Sequence, residues 1–210
     1  MKTVAAIFDI FGTLIKIENR RSPYLQLLRN GRTHGRRPMP DDSMVLMTHD
    51  FSFSEAAIHL GIPIGYVKLQ GLERLLEEEL CSLTLYEDAL EAIAMIQGAG
   101  IKVGLCSNLA APYGAAVRRL LPGLDAYSFS FEVGVAKPDP VIYHSVCRTM
   151  GVEPGKQLGG SRVVMIGDSV RCDRDGARAA GIAGFYLNRG GMGDFTSLVN
   201  FAEQVLECGE

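Results

Sequence analysis

Apolar and polar positions change texture twice along this chain, and each change predicts a different kind of element. Val4 to Phe8 is a short unbroken apolar run that ends directly on Asp9. A run of that length reads as a strand buried on both faces, as in the middle of a parallel sheet. Residues 16–85 then lack strongly strand-like runs and read as helices and loops. Within them Ser54 is expected to cap a helix over 55–60 that Gly61 and Pro63 stop. Leu69, Leu72, Leu76, Leu80 and Leu83 recur at helical spacing, with Glu73, Glu77, Glu78 and Glu79 off the stripe, so that one leucine face is buried. From residue 86 the two textures alternate. Strands are predicted over 101–106, 126–131, 162–166 and 183–187, and helices over 86–97, 112–121, 140–150, 172–180 and 195–207. Asp139 caps the third of these helices and Pro140 sits in its first turn, where a missing N–H costs nothing. Strict alternation specifies an α/β fold with a parallel sheet covered on both faces.

Composition narrows the setting. The 210 residues are 47% hydrophobic and 21% charged, with a formal net charge of −3. Nothing there calls for nucleic acid or an acidic membrane as the main partner. No apolar run approaches the roughly 18–20 residues that span a bilayer, and the start lacks the basic region and apolar core of a signal peptide. Cys81, Cys106, Cys147, Cys172 and Cys208 are odd in number and form no CxxC pair. Free thiols in a reducing cytoplasm are expected.

If the strands are parallel, their carboxyl ends share one edge, where open α/β sheets place ligands. Asp9 follows the first predicted strand and Ser107 the second. Lys137 lies in the loop after the third, and Asp168 and Asp173 follow the fourth. Each alone has a plain structural reading: a capping aspartate, a helix-start serine, a solvated lysine, or an aspartate favoured by a helix dipole. Gly12 lets the chain leave the first strand sharply. Three carboxylates beside one lysine repel one another strongly, and a hard divalent cation with oxygen ligands resolves that repulsion.

With these four motifs in this order, the chain resembles the haloacid dehalogenase-like hydrolase superfamily. The resemblance implies a three-layer Rossmann-like core from residues 1–15 and 86–210, with a small helical cap from residues 16–85. It implies Asp9 as nucleophile, Thr13 and Ser107 holding the transferred group, and Lys137 steadying negative charge. It also implies Mg²⁺ held by Asp9, the Phe11 carbonyl and Asp168, with Asp173 behind. Gly12 and Asn108, with the Phe11 side chain, are expected at the substrate. The implied activity is a phosphatase acting through an aspartyl-phosphate on a small phosphorylated metabolite, as a monomer or homodimer.

One position departs from the pattern. The superfamily's phosphatases usually carry a second aspartate two residues after the nucleophile, which protonates the leaving alcohol; here it is Phe11. Haloacid dehalogenases carry an aromatic residue there, because a halide leaves without a proton, but they are metal-free. Gly167-Asp168-Ser169 is instead the metal-binding form. A dehalogenase, and a catalytically weak phosphate-binding or regulatory protein, therefore stand as alternatives. Asp41, Asp42, His34 and His49 are candidates for a replacement acid. The six arginines between residues 20 and 37 are candidates for contacting the substrate's anionic part or, more simply, form a solvated basic face balanced by Glu73 to Glu79. His59 and His144 are expected to pack, and Cys106 and Cys172 to be inert.

Overall fold

The computed structural model describes residues 2–154 and 162–207; Cys208 lies outside them. Strand β1 (Thr3–Phe8) is followed by β2 (Ile15–Ile17), helices α1 (Pro23–Thr33), α2 (Asp42–Thr48), α3 (Phe53–His59) and α4 (Tyr66–Cys81), and then β3 (Leu83–Leu85). Helix α5 (Ala89–Gly98) leads into β4 (Lys102–Ser107), α6 (Ala111–Leu120), β5 (Ala126–Phe129), the single turn α7 (Ser130–Val133) and α8 (Pro140–Thr149). Strand β6 (Arg162–Gly167), a π-helical turn (Val170–Asp175), α9 (Gly176–Ala179), β7 (Ala183–Tyr186) and α10 (Leu198–Glu207) complete the described chain.

The central sheet is parallel throughout, in the order β5-β4-β1-β6-β7. Successive side chains of a strand point to opposite faces, and β1 is apolar on both. Ala6 and Phe8 join the layer of α5 and α10, against Ile93, Ile96 and Phe201. Ala5 and Ile7 join the layer of α8 and α9, against Ile142, Tyr143, Val146 and Ala177. That two-sided burial is why the run is unbroken in sequence. The inserted helices are not separate from this core: Leu27, Leu46, Phe53, Leu72 and Leu76 belong to the same apolar cluster as Phe8, Leu14 and Tyr113. Among the described residues no helix is long and apolar enough to cross a membrane.

Several boundaries differ from expectation for identifiable reasons. The insert is not wholly helical: β2 and β3 pair antiparallel through Ile15–Leu85, Lys16–Thr84 and Ile17–Leu83. Each is a three-residue strand, too short for alternation to register, and Leu83 lies on β3 rather than on the stripe of α4. Helix α3 is capped by Ser52, not Ser54. Ser52 Oγ accepts from Glu55 N at 3.3 Å while the Glu55 carboxylate accepts from Ser52 N at 2.8 Å, a reciprocal capping box. The strand expected over 126–131 ends at Phe129, where the chain turns into α7. The helices expected from residues 86 and 195 begin at Ala89 and Leu198. His59 and His144 are exposed rather than packed in the core, although His59 lies against Phe51 with ring centroids 4.7 Å apart.

Candidate active site

Because β4, β1 and β6 are neighbours, the residues at their carboxyl ends meet: Ser107, Asp9 and Asp168. Asp9 is buried and surrounded by donors. Ser107 Oγ donates to Asp9 Oδ1 at 3.0 Å and Thr13 Oγ1 to Oδ2 at 3.4 Å. Lys137 Nζ donates to Asp9 Oδ1 at 2.6 Å, Asp173 Oδ1 at 2.6 Å and the Cys106 carbonyl at 2.8 Å. Three bonds use all three ammonium protons. Asp9, Asp168 and Asp173 each bring a carboxylate oxygen within 4.8 Å of the others.

Local sequence explains how carboxylates come this close. Gly12 has φ +84°, and a Cβ there would lie 2.0 Å from Asp168 Oδ2. A Cβ on Gly167 would lie 2.3 Å from Asp173 Cγ. Both glycines leave volume that an aspartate fills. After β6 the chain takes a π-helical turn, a wide conformation frequent at functional sites. It returns Asp173 beneath the sheet edge, where Asp173 Oδ2 accepts from Ser169 N at 2.9 Å. Asn108 braces the lysine loop: its Nδ2 donates to the Lys137 carbonyl at 2.9 Å and its Oδ1 accepts from Lys137 N at 2.7 Å. Its amide therefore holds Lys137 in place rather than reaching free toward a substrate.

The charges do not balance. Burial works to lower the Lys137 pKa, but the Asp9 and Asp173 carboxylates more than reverse it, so the ammonium stands well above the ordinary lysine range. Partial desolvation of its carboxylate, then the charge of Asp9, raises Asp168, and burial pushes Asp173 up to about 6. One ammonium thus faces three carboxylates. Like charges at ~4 Å interact by about 4 kcal/mol at an effective dielectric of 20. Both oxygens of Asp173 already have protein donors, whereas Asp168 is exposed and makes no ion pair among the described residues. Asp168 is therefore the carboxylate left free for a divalent cation, while Asp9 and Asp173 both bond to Lys137. The three-carboxylate cluster is compatible with a divalent cation.

Beside this cluster lies a cavity of about 340 Å³ bordered by Phe11, Asn108 and the inserted helices. Phe11 is half-buried, and its ring meets Tyr113 edge-to-face with centroids 5.6 Å apart. Of the six arginines, Arg20 borders the cavity; Arg21 pairs with Glu78 at 3.2 Å, and Arg36 binds both oxygens of Asp42 at 2.6 Å. That pairing commits Asp42, one candidate acid, to a structural role; Asp41, His34 and His49 are exposed and do not border the cavity. Burial pushes the Cys106 thiol up to about 12, which makes it inert. Two residues escape the sequence reading. Glu79 is only 3% exposed, although it falls outside the leucine stripe. Its spacing from Leu72 and Leu76 is a signal, since positions i, i+4 and i+7 share a helix face. Arg189 donates to the Thr13 carbonyl at 2.9 Å and to both oxygens of Asp88, a link across the fold that no local pattern reveals.

The fold has counterparts among known proteins. A model of the haloacid dehalogenase-like hydrolases matches residues 3–181, and the chain belongs to that family. Among solved structures it is similar to a HAD phosphatase from Thermococcus onnurineus, with 24% identity, TM-score 0.64 and 98% of each chain covered. It is also similar to the L-2-haloacid dehalogenase from Xanthobacter autotrophicus with chloropropionic acid covalently bound, with 19% identity, TM-score 0.62, and 98% of this chain and 99% of that one covered. A HAD-superfamily hydrolase from Ehrlichia chaffeensis has 23% identity and TM-score 0.58, with 98% of this chain and 99% of that one covered. At these identities the likeness shows the fold. No curated protein matches by sequence.

Proposed function

We propose that this protein is a Mg²⁺-dependent phosphatase that transfers the phosphoryl group of a small phosphorylated metabolite to Asp9 and then to water. The observation that carries the reading is Asp168. A third carboxylate beside Asp9 and Asp173, with one lysine among them, is an electrostatic liability unless a cation is bound. Asp9, Asp168 and the Phe11 carbonyl would hold the ion, which supplies positive charge for the phosphoryl oxygens.

The chain's own groups do the rest. A carboxylate oxygen of Asp9 bonds to phosphorus while the ester P–O bond breaks, its electron pair leaving on the alcohol oxygen. Lys137 fixes the orientation of Asp9, and the Ser107 and Thr13 hydroxyls lie within reach of its carboxylate to receive the phosphoryl oxygens. Phe11 offers no proton, so a leaving group that is stable as an anion departs most readily. Water then bonds to phosphorus as the bond to Asp9 breaks, its electron pair returning to the carboxylate; one of the water's protons stays on the released phosphate and the other passes to solvent. The dispersed free cysteines and the net charge of −3 support a cytoplasmic setting without nucleic-acid or membrane partners.

A second reading has one specific observation in its favour. Phe11 beside the nucleophile suits attack on carbon, with a halide leaving with the bonding pair, and the similar Xanthobacter protein is an L-2-haloacid dehalogenase. Asp168 argues against it. Turnover of phenyl phosphate, acetyl phosphate and an alkyl phosphate, with and without Mg²⁺, beside 2-chloropropionate decides the question. The phosphatase reading expects Mg²⁺-dependent phosphate release that disappears in Asp9→Asn. Chloride release in EDTA establishes the dehalogenase. Binding of Mg²⁺ and phosphate analogues with no turnover establishes a binding protein.

A further inference from the structure

We infer that the cavity beside Phe11 seats the leaving group, and that its preferred occupant is a flat apolar one, which makes the substrate class an aryl phosphate. The inference rests on the phosphatase reading and extends it to the substrate. The cavity of about 340 Å³ has the size of a small-molecule site. Its walls are Phe11, Tyr24, Leu28, Leu46, Met47 and Tyr113, drawn from the turn after β1, from α1 and α2, and from α6.

Of the polar groups on its border, Glu79, Asn108 and the Tyr113 hydroxyl are already bonded within the protein, which leaves the Ser22, Tyr24 and Ser43 hydroxyls and Arg20. Glu79 Oε2 accepts from Arg21 N at 2.5 Å and Ser22 N at 2.6 Å, and its Oε1 accepts from the Tyr113 hydroxyl at 2.6 Å. The Asn108 amide is bonded to the Lys137 backbone. A hydroxyl-rich leaving group would give up water here and find few partners in exchange. Arg20 is exposed, and a long cationic side chain can keep its head in water while apolar walls enclose a ring. Phe11 and Tyr113 already hold an edge-to-face pair at 5.6 Å, and a third ring extends that packing.

This assignment also accounts for the residue that departs from the pattern. Phe11 removes the proton donor, and it places an aromatic wall on the same cavity. An aryl phosphate satisfies both facts at once. Its ring packs against that wall, and its oxygen leaves as an aryloxide that takes its proton from water afterwards.

The experiment compares kcat/KM for 2-naphthyl phosphate, acetyl phosphate and glucose 6-phosphate in Mg²⁺, and measures 2-naphthol binding by calorimetry in the wild type and in Met47→Trp. Acetyl phosphate controls for the chemistry, because its leaving group is stable as an anion without filling the cavity. The expected result is naphthol binding that Met47→Trp abolishes, and a naphthyl-to-acetyl ratio that falls about tenfold or more in that variant. Glucose 6-phosphate is expected to be the poorest of the three. If Met47→Trp does not fold, Leu28→Phe is the milder filling. Turnover of acetyl phosphate without naphthol binding, or an unchanged ratio in a folded variant, overturns the assignment alone. Absence of Mg²⁺-dependent turnover of every ester overturns the phosphatase reading and this assignment with it.

Discussion

Replacing Lys137 by methionine tests the electrostatics on which the site depends. Lys137 is 4% exposed, and its ammonium bonds to Asp9, Asp173 and the Cys106 carbonyl. Without it, three carboxylates lie within 4.8 Å of one another with only hydroxyl and backbone donors. Removing one partner of a buried ion pair costs about 3–5 kcal/mol, because the other charge is left uncompensated. At about 2–4 °C per kcal/mol for a chain of this size, the melting temperature in EDTA should fall by roughly 6–20 °C. A ligand at 100 times its Kd stabilises by about 2.7 kcal/mol, so saturating Mg²⁺ should recover part of that loss. Asp168→Asn carries the opposite sign. It removes one of the repelling charges and should raise the melting temperature in EDTA, with the advantage lost in Mg²⁺. Differential scanning calorimetry near neutral pH, with and without metal, reads both variants. A Lys137→Met protein that melts at or above the wild type in EDTA, together with an Asp168→Asn protein that melts below it, would refute the reasoning.

Three further outcomes follow from the same geometry. Gly12→Ala should abolish Mg²⁺-dependent turnover, because the added Cβ would sit 2.0 Å from Asp168 Oδ2 on a backbone with φ +84°; steady-state kinetics alongside a thermal melt separates lost activity from lost fold. Phe11→Asp restores a proton donor at the leaving oxygen, and should raise turnover of alkyl phosphates by up to about 10²–10⁴-fold while gaining little on aryl phosphates. Arg36→Ala leaves the buried Asp42 carboxylate without its partner and should cost about 1–3 kcal/mol in urea denaturation at neutral pH. The Arg36 guanidinium holds the Asp42 carboxyl below its usual range. Its stabilisation is therefore present above the unfolded carboxyl pKa of about 4 and lost on acidification through the lower folded value, so the gap between wild type and Arg36→Ala should close there.

The sheet was readable in the sequence because a strand buried on both faces has no polar positions to confuse it, as Val4 to Phe8 shows. The polar edge was readable because parallel strands force their carboxyl ends together, so that Asp9, Ser107 and Asp168 converge whatever the loops do. The insert was less open to this approach. Ile15–Ile17 and Leu83–Leu85 alternate correctly, but over three residues only. Glu79 is a charged side chain at a buried helix position, which patterning assigns to solvent unless its spacing from Leu72 and Leu76 overrides its chemistry. The roles of Asn108 and Arg189 arise from pairings across 29 and 176 residues, which no local pattern encodes.

The most direct measurement is intact-protein mass spectrometry, with peptide mapping, after acid quenching of a reaction with 2-naphthyl phosphate and Mg²⁺. A phosphoryl adduct located on Asp9, absent in EDTA and absent in Asp9→Asn, is the predicted result. Naphthol release that proceeds with no adduct and survives the loss of the Asp9 carboxylate would contradict it.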